Sequence, residues 1–472
     1  TSSGRPNSIA NDSAIASDVN IKGHNLTLAY QIPDTAIGDL TLKSITGYRD
    51  LQTLSQSDFD GTELDMFRFI IDNEFEQTTQ EFQLLGSTES LQYVLGFFYY
   101  EDEWETDNPR WIFQFGGDTF DTSQRGAKDE SIAVFGQMTW TPDAWDKRMD
   151  LTLGARWTEE TKDVHSLWQD VSIYADDPTD PNAGVFVRDA AGNPVFDESG
   201  NLIPMQAKDT WDEVTPMGVV GWRFSDDVNA YFKISSGFKS GGFYGVATNN
   251  ASFTSGFDPE TILSYELGVK SRLADNRVQL NISAFFNEYD DFQAGLFIPE
   301  VVGTVVVNAG EAEMWGGEIE LLARPIANLD LTFNYSYLDT EYVDFKDGDG
   351  NDISGEREFA YSPENTVYLA AKYTFDPFDF GTLSLHADYA WKDDLYIGIV
   401  DDPTTNIDAY GLWNARAELN DITVGSGSLR VAVWGRNLGD EEYWNTAINL
   451  SVMTVNQWAD PLSYGVEVAY DF

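Results

Sequence analysis

The chain has 472 residues, with 28 Lys and Arg against 79 Asp and Glu, so its formal net charge at neutral pH is −51. A chain this acidic repels phosphates, which excludes a nucleic-acid-binding role. Its 14 Trp, 22 Tyr and 30 Phe exclude a disordered acidic tail, because disordered chains are poor in aromatic residues. Cysteine is absent, which excludes disulfides, thiolate metal sites and a cysteine nucleophile.

The first residues, 1–23, are expected to form a flexible N-terminal segment or an outer loop. They contain neither the basic region nor the apolar region of a secretory signal peptide. No stretch of the sequence approaches the roughly 18–20 apolar residues that a membrane-spanning helix needs. The chain is therefore predicted to be either a soluble protein or a membrane protein that crosses with strands.

From residue 24 onward the hydrophobic period is two, which indicates β-strands. Residues 24–32 form the first predicted strand. In a later one, 147–157, Met149, Leu151 and Leu153 alternate with polar neighbours. The same alternation recurs at 228–238, 277–286, 328–337 and 382–391. No convincing amphipathic helix interrupts these strands, so the fold class is predicted to be all-β.

The connections between the predicted strands alternate between short turns and long polar loops. Short turns are predicted near 33–38, 86–90, 141–147, 225–227, 273–276, 324–328, 375–380 and 420–427. Long loops are predicted near 54–72, 101–127, 163–208, 240–257, 290–312, 340–361, 392–408 and 444–460. This alternation is typical of an antiparallel transmembrane β-barrel, with tight periplasmic turns and long outer loops. Residues 24–472 are accordingly assigned to one barrel of about 17 strands.

The two faces of the predicted strands differ in polarity, and this decides which solvent each face meets. The polar faces mix Arg, Lys, Asp, Glu and Gln, which suits a water-filled lumen, while the apolar faces suit lipid. Many apolar faces end in an aromatic ring, as expected for girdles at the two membrane interfaces. These rings are Tyr30, Trp140, Trp157, Trp222, Tyr373 and Trp391. The alternative is a large soluble all-β protein with an apolar interior.

The chain ends on the alternating segment SYGVEVAYDF. Five of its residues share one face of an extended strand: Tyr464, Val466, Val468, Tyr470 and Phe472. A last strand must be paired inside a barrel, because an open edge in lipid leaves backbone groups unsatisfied. An apolar strand that ends in Phe472 also resembles the sorting and assembly signal of outer-membrane barrels. The plainer interpretation, that it is only the last strand, is compatible with this one.

Five stretches together resemble the C-terminal barrel of the TonB-dependent receptors of the outer membrane. They are LTLKSITGYRD at 40–50, LGFFYYEDE at 95–103, GFKSGGF at 237–243, VVNAGEAEMWGGEIEL at 306–321 and GRNLGDEEYW at 435–444. The resemblance implies a family barrel of twenty-two strands behind an N-terminal plug, of which about 17 lie in this chain. The plug, its TonB box and about five strands are expected outside this sequence, as in a fragment of a longer receptor.

The resemblance also implies a function and a set of partners. The implied function is TonB-energised uptake of a scarce nutrient across the outer membrane of a Gram-negative bacterium, above all a ferric siderophore or a similar iron chelate. A passive porin-like channel and a glycan or organic-nutrient transporter of the same fold are the alternatives. The implied partners are the TonB complex through the plug and TonB box, lipopolysaccharide and outer-membrane lipid, the barrel assembly machinery and a small-molecule ligand. No cofactor is implied.

Six aromatic residues in two outer loops are candidates for ligand binding, because rings on loops can stack on sugars or catecholates. They are Trp104, Trp111, Phe113, Phe115, Phe243 and Tyr244. The alternative is that these rings pack the loops against each other or contact lipopolysaccharide.

Two further groups of residues have the composition of a chemical site. Ser384, His386 and Asp388 have the composition of a hydrolase triad, but alternate residues of one strand lie about 6.5–7 Å apart, too far for a hydrogen-bonded series. The segment 347–358 spaces acidic residues like a calcium loop, but its sixth position is Asp352 where glycine is required. No enzyme activity and no dedicated metal site are predicted, and calcium binding by this loop stays open.

Overall fold

A computed structural model describes most of the chain and shows an almost entirely β protein. The described residues are 4–6, 14–59, 61–63, 67–112, 120–245, 247–298, 303–346, 350–449 and 453–472. They contain one large sheet of nineteen strands and a separate two-stranded hairpin.

Seventeen strands of the large sheet follow each other in chain order and are numbered β1 to β17. They are β1 Ala16–Thr35, β2 Gly38–Asp58, β3 Phe67–Ser87, β4 Leu91–Asp107, β5 Phe120–Trp140, β6 Met149–Asp170, β7 Met205–Ser225, β8 Val228–Lys239, β9 Glu260–Leu273, β10 Val278–Ile298, β11 Gly303–Ile326, β12 Leu329–Asp344, β13 Asn365–Thr374, β14 Thr382–Lys392, β15 Tyr410–Val424, β16 Gly427–Arg436 and β17 Ser463–Asp471. Two short strands, Arg110–Ile112 and Gly184–Val185, complete the nineteen. The separate hairpin is formed by Trp444–Asn449 and Thr454–Trp458.

Each of the seventeen strands pairs antiparallel with the next one along the chain. In the described part of the chain, β1 pairs only with β2, and β17 pairs only with β16. The prediction of one antiparallel sheet with about 17 strands is confirmed.

The two ends of the sheet carry different connections. At one end the strands are joined by two to eight residues, as at 36–37, 226–227 and 425–426. At the other end lie the long connections, such as 171–204 and 437–462. The predicted alternation of short and long connections therefore holds for most of the chain, but β2 and β3 are joined by only eight residues, 59–66, and β10 and β11 by only four, 299–302.

Several predicted loop boundaries are wrong, and they err in the same direction, because the strands are longer than predicted. Strand β1 begins at Ala16, so the second part of the predicted flexible segment is strand. Much of the predicted loop 54–72 is paired, since Ser55 lies opposite Ile71. Nearly all of the predicted loop 290–312 continues the hairpin, with Ile298 opposite Gly303. In each case backbone pairing continues into a segment that the sequence analysis assigned to a loop.

The two faces of the sheet separate as the sequence predicts. Leu95, Val134 and Leu153 share one face and are 56%, 53% and 58% exposed. On the opposite face polar side chains bond to each other, as the Thr139 and Thr152 hydroxyls do at 2.8 Å. Such a sheet has its large apolar side chains on the outside, which is the arrangement of a barrel surrounded by lipid.

Two short helices lie in the long connections and have no counterpart in the sequence prediction. They are α1, Val171–Asp176, and α2, Asn250–Ser255. The side chain of Asn249 caps α2 by accepting a hydrogen bond from the Ser252 amide at 2.9 Å. None of the helices among the described residues has the length and apolarity required to cross a membrane.

The long connections form small apolar cores of their own. The larger core joins the outer end of the β10–β11 hairpin to the loops that follow β12 and β14. Its buried members are Ala294, Ala309, Ala312, Tyr342, Phe345, Phe359 and Ile399. The smaller core joins the loops after β6 and β8, through Trp168, Val185, Ala247 and Phe253. These loops are therefore packed structures with fixed shapes.

Candidate ligand entrance at the outer end

The six ligand-binding candidates lie in different surroundings. Trp104 is on β4, half-buried on the polar face, directly opposite Phe75 and Ala127. The backbone of Trp111 belongs to a short strand, but its side chain, Phe113 and Phe115 lie outside the described residues. The placement of Trp104 in an outer loop is therefore wrong, because the strand extends past it to Asp107. The role of these four rings in ligand binding stays a prediction.

The other two candidates belong to an aromatic cluster above β7 and β8. Phe243 lies 6.2 Å from Trp211 and 6.4 Å from Phe253, measured between ring centroids. Tyr244 lies 5.8 Å from Phe257. Both rings are half-buried, so they help to pack this loop and keep part of their surface accessible.

A row of charged residues that the sequence analysis did not single out lies beside these rings. Antiparallel pairing puts Asp102 of β4 directly opposite Asp129 of β5, and Asp129 directly opposite Lys162 of β6. Opposite residues of neighbouring strands have Cβ atoms about 4.5–5.5 Å apart, so the three side chains are neighbours. They share the polar face with Trp104, because alternate residues of a strand point to the same side.

The row lies on the loop side of the apolar band. The outward apolar residues of β4 end at Tyr99, and the next outward positions are Glu101, Glu103 and Glu105. Asp102 is therefore above the band, at the height where the outward face becomes acidic.

The two carboxylates in this row are poorly compensated. Asp102 is 7% exposed, and its Oδ1 atom accepts no hydrogen bond. The Oδ1 atom of Asp129 is also buried without a hydrogen-bond partner. Burial raises the pKa of Asp102 to about 6, and repulsion by Asp129 adds to the shift. Burial likewise raises the pKa of Asp129, against the opposing attraction of Lys162.

The ammonium group of Lys162 is bound to the neighbouring loop, while its positive charge opposes the rise in the pKa of both carboxylates. It donates a hydrogen bond to the Gly241 carbonyl oxygen at 2.9 Å and lies 5.9 Å from the centroid of the Trp211 ring. Lys162 therefore connects the strand wall to the loop that carries Phe243 and Tyr244. The sequence analysis missed this row of charged residues because they meet only through the strand register, which no local sequence pattern reveals.

The triad-like residues line the polar face of β14, and their geometry is loose. The closest oxygen of Asp388 lies 3.8 Å from Nδ1 of His386, and Asp388 accepts a hydrogen bond from Asn414 at 2.7 Å.

In the suspected calcium loop, Asp347 and Asp349 lie outside the described residues. In the described part of the chain, three or more His, Cys, Asp or Glu side chains do not gather anywhere into a group that could hold a metal ion.

The antiparallel sheet, its exposed apolar face and its long outer loops agree with the result of a comparison with known protein families. Residues 1–438 match the model of the family described as TonB dependent receptor-like, beta-barrel. The chain belongs to this family. Its members are outer-membrane β-barrel receptors, so this receptor chain is an integral protein of the outer membrane of a Gram-negative cell.

Individual relatives are more distant. The pesticin receptor of Yersinia enterocolitica is 25% identical over 234 residues, which is 46% of this chain and 34% of the relative. The ferric-pyoverdine M114 receptor PbuA of a Pseudomonas species is 25% identical over 281 residues, 59% of this chain and 32% of the relative. This receptor chain thus matches only about a third of the length of these curated relatives.

A solved structure shows the fold over almost the whole chain. The ferric yersiniabactin uptake receptor FyuA from Yersinia pestis superposes with a TM-score of 0.74 and 16% sequence identity. The superposition covers 98% of this chain and 63% of that receptor. The fold class is therefore a transmembrane antiparallel β-barrel of the TonB-dependent receptor type.

Proposed function

We propose that this chain is the barrel part of an outer-membrane receptor that takes up a ferric siderophore or a similar iron chelate with energy supplied through TonB. One observation carries the proposal: the family match extends over residues 1–438, and two of the named relatives, PbuA and FyuA, are receptors for ferric pyoverdine and ferric yersiniabactin. The packed outer loops support it, because a receptor for a scarce ligand benefits from a preformed binding surface.

In this proposal the two ends of the barrel have separate tasks. The outer loops capture the chelate, and the accessible parts of Trp104, Phe243 and Tyr244 provide stacking surfaces for it. The polar inner face offers a water-filled path through the membrane. A plug and its TonB box, supplied by the rest of the receptor, would close this path until TonB acts. Lipopolysaccharide surrounds the outer end, and the barrel assembly machinery inserts the protein.

The terminal strand has a part in insertion. Tyr464, Val466 and Val468 are 81%, 69% and 63% exposed on one face of β17, and Phe472 is fully exposed. This row supports its proposed role as the assembly signal, together with Tyr470. Removal of Phe472 is expected to reduce the amount of folded receptor in the outer membrane, measured by heat-modifiable migration in gels.

A growth and uptake test decides between the ligands. A deletion strain is compared with its complemented parent on ferric siderophores, haem, cobalamin and glycans as limiting nutrients. We expect loss of growth and of labelled iron uptake on one class of ferric chelate, in a TonB-dependent manner. Loss on a glycan alone would replace the proposed ligand with an organic nutrient.

A passive porin-like channel is the alternative mechanism. An open lumen would give steady ion conductance in planar bilayers and uptake that does not depend on TonB. The proposal predicts conductance near background for the full-length receptor. Steady open-channel currents in that protein would contradict it.

A further inference from the structure

A cavity of about 540 Å³ lies against the polar inner face at the outer ends of β11 to β15. Ala390 of β14 pairs with Tyr368 of β13 on one side and with Leu412 of β15 on the other. The small alanine side chain between two larger ones leaves a hollow in the wall, and all three residues line it. The volume is in the range of small-molecule sites in proteins, so the cavity has room for part of a ligand.

The cavity lies directly under the outer loops. Lys392, the last residue of β14, and Tyr410, the first residue of β15, line it and are directly opposite each other. Tyr443, from the connection after β16, also lines it and stacks on Tyr410 with the ring centroids 4.0 Å apart. A ligand that arrives from outside the cell therefore meets this part of the wall at the mouth of the barrel.

Four side chains of the cavity carry hydrogen-bond donors that have no partner in the described part of the chain. The Lys392 ammonium lies 5.5 Å from the centroid of the Tyr410 ring and forms neither an ion pair nor a hydrogen bond with the described residues. The hydroxyls of Tyr368, Tyr410 and Tyr443 likewise donate to none of them. Burial raises the pKa of Tyr443, so its hydroxyl keeps its proton at neutral pH. All four side chains are partly exposed, so a ligand can reach these donors.

The lining favours an anionic aromatic group. An ammonium and several hydroxyl donors bind an oxygen anion, and tyrosine rings stack on another flat ring. The carboxylate of Glu318 also lines the cavity, but its position is three strands from Lys392 in the same row, roughly 14 Å at the usual spacing of strands. The net charge of −51 acts at longer range, and physiological salt screens charges beyond about 8 Å, so the local cation decides.

We infer that the cavity between Lys392, Tyr368, Tyr410 and Tyr443 binds an aromatic ring that carries an oxygen anion, such as an aryl carboxylate or a phenolate. The Lys392 ammonium binds the anionic oxygen, and the tyrosine rings stack on the flat group. This inference rests on the proposed uptake function and specifies the ligand further: the chelate carries such a ring.

The first experiment measures fragment binding to the full-length receptor by fluorine NMR. The probes are para-trifluoromethylbenzoate, the corresponding neutral benzamide, and the cyclohexane carboxylate that has the same charge and no aromatic ring. We expect the benzoate to bind about tenfold more tightly than the benzamide, as a charge-assisted hydrogen bond would provide. It should bind about fivefold more tightly than the cyclohexane carboxylate, because only the benzoate stacks. Equal affinities for the benzoate and the benzamide would overturn the inference.

Substitutions of two lysines assign the binding to the cavity. Lys392→Gln should weaken the benzoate about tenfold and leave the benzamide unchanged, while Lys392→Arg should keep the benzoate bound. The matched control is Lys372→Gln, which removes a lysine on the same polar face, four residues from Tyr368 along β13 and outside the cavity. An equal loss of benzoate binding in Lys372→Gln would show a general response to charge in the lumen and would overturn the assignment.

A third substitution tests the stacking. Tyr443→Leu should weaken the two aromatic probes several-fold and leave the cyclohexane carboxylate unchanged, because the ammonium of Lys392 stays in place. Equal weakening of all three probes would contradict the role of the tyrosine rings as a stacking surface.

The outcomes separate this inference from the proposed function, because fragment binding can be measured whichever nutrient the receptor imports. If the preference for the benzoate is absent while a ferric chelate supports TonB-dependent growth, the inference fails and the uptake function stands. If the preference is present and depends on Lys392 while growth depends only on a glycan, the cavity binds an aryl anion and the proposed function fails.

Discussion

At the residue scale, Asp102 makes the stability of the receptor depend on pH. Its folded-state pKa of about 6 lies above the ordinary value of 3.8, so the folded state holds the proton more strongly. The stabilisation is fully present below the ordinary pKa and is lost as the pH rises through the folded pKa. At neutral pH the ionised Asp102 therefore lowers the free energy of unfolding.

Asp102→Asn removes this titration. At pH 7.5 we expect an increase of up to about 3 kcal/mol in the free energy of unfolding, since each pKa unit corresponds to about 1.4 kcal/mol. Below pH 4 the gain should vanish. Denaturant melts of the folded receptor between pH 4 and pH 7.5 measure it. An equal gain at both ends of this range would contradict the assigned pKa shift, and Asp163→Asn provides the control for a change in surface charge.

Gly96 leaves room for an aromatic ring of the neighbouring strand. Gly96 of β4 lies directly opposite Phe135 of β5, and a Cβ atom at Gly96 would overlap the Phe135 ring. The guanidinium of Arg156 lies 5.6 Å from the centroid of that ring. The ring thus covers the bare glycine backbone, an arrangement that fixes strand register.

Gly96→Val is expected to cost about 1–3 kcal/mol, the usual penalty of overpacking, and to lower the yield of folded barrel. The measurement is the heat-modifiable fraction after refolding and its denaturant midpoint. Gly355→Ala is the matched control, because an added Cβ there meets no atom within 4 Å. If the ring is the obstacle, the second change Phe135→Ala should restore part of the yield.

At the residue scale, only part of the candidate site could be predicted from the sequence. The aromatic candidates could be proposed because rings in long loops are visible in one sequence. The Asp102–Asp129 pair could not, since the two residues are far apart in the chain and meet only through the register of β4 and β5. The same limit applies to Lys162, whose partner Gly241 belongs to a connection two strands further along.

At the scale of the element, the strands were predictable wherever one face meets an apolar medium. The alternation around Leu151 and Leu153 predicted β6 because each outward residue is apolar there. Beyond the apolar band the outward positions of β4 become Glu101, Glu103 and Glu105, and the pattern no longer differs from that of a loop. Backbone hydrogen bonds continue regardless of side-chain polarity, which explains why β4 is longer than predicted.

The adjacent residues Thr152 and Leu153 of β6 test which face meets lipid. Leu153 is 58% exposed on the apolar face, and Thr152 bonds to Thr139 on the polar face. Leu153→Arg should cost about 2–4 kcal/mol if it lies near the middle of the bilayer, and should reduce insertion into the outer membrane. Thr152→Arg should be tolerated, because its charge enters a wet lumen.

The measurement for this pair is the amount of folded receptor in outer-membrane fractions and its unfolding midpoint in lipid vesicles. Comparable losses for both variants would indicate that neither face is in contact with water. A greater loss for Thr152→Arg would reverse the assignment of the faces and would contradict the barrel orientation given above.

At the scale of the whole molecule, the outer loops act as one body on the later half of the sheet. Phe359 is 6% exposed, and its ring stacks on Tyr342 at 4.2 Å and lies 5.3 Å from Phe292. These three rings come from the loop after β12, from β12 itself and from the outer end of β10. A hydrogen bond also joins the connection after β14 to the connection after β16: the Asn449 side-chain amide donates to the Asp402 carboxylate at 2.8 Å.

Phe359→Ala is therefore expected to loosen several loops at once. Deletion of a buried Phe ring costs about 3–5 kcal/mol, which exceeds what a small loop core can lose without opening. Limited proteolysis of the folded receptor should show faster cleavage in the β10–β11 hairpin and in the loops after β12 and β14, with the barrel intact. Phe378→Ala, at an exposed ring in a short turn on the opposite end, should leave these rates unchanged. Faster cleavage confined to the loop around residue 359 would show that the connections move independently, and the outer surface could then not present a ligand site of fixed shape.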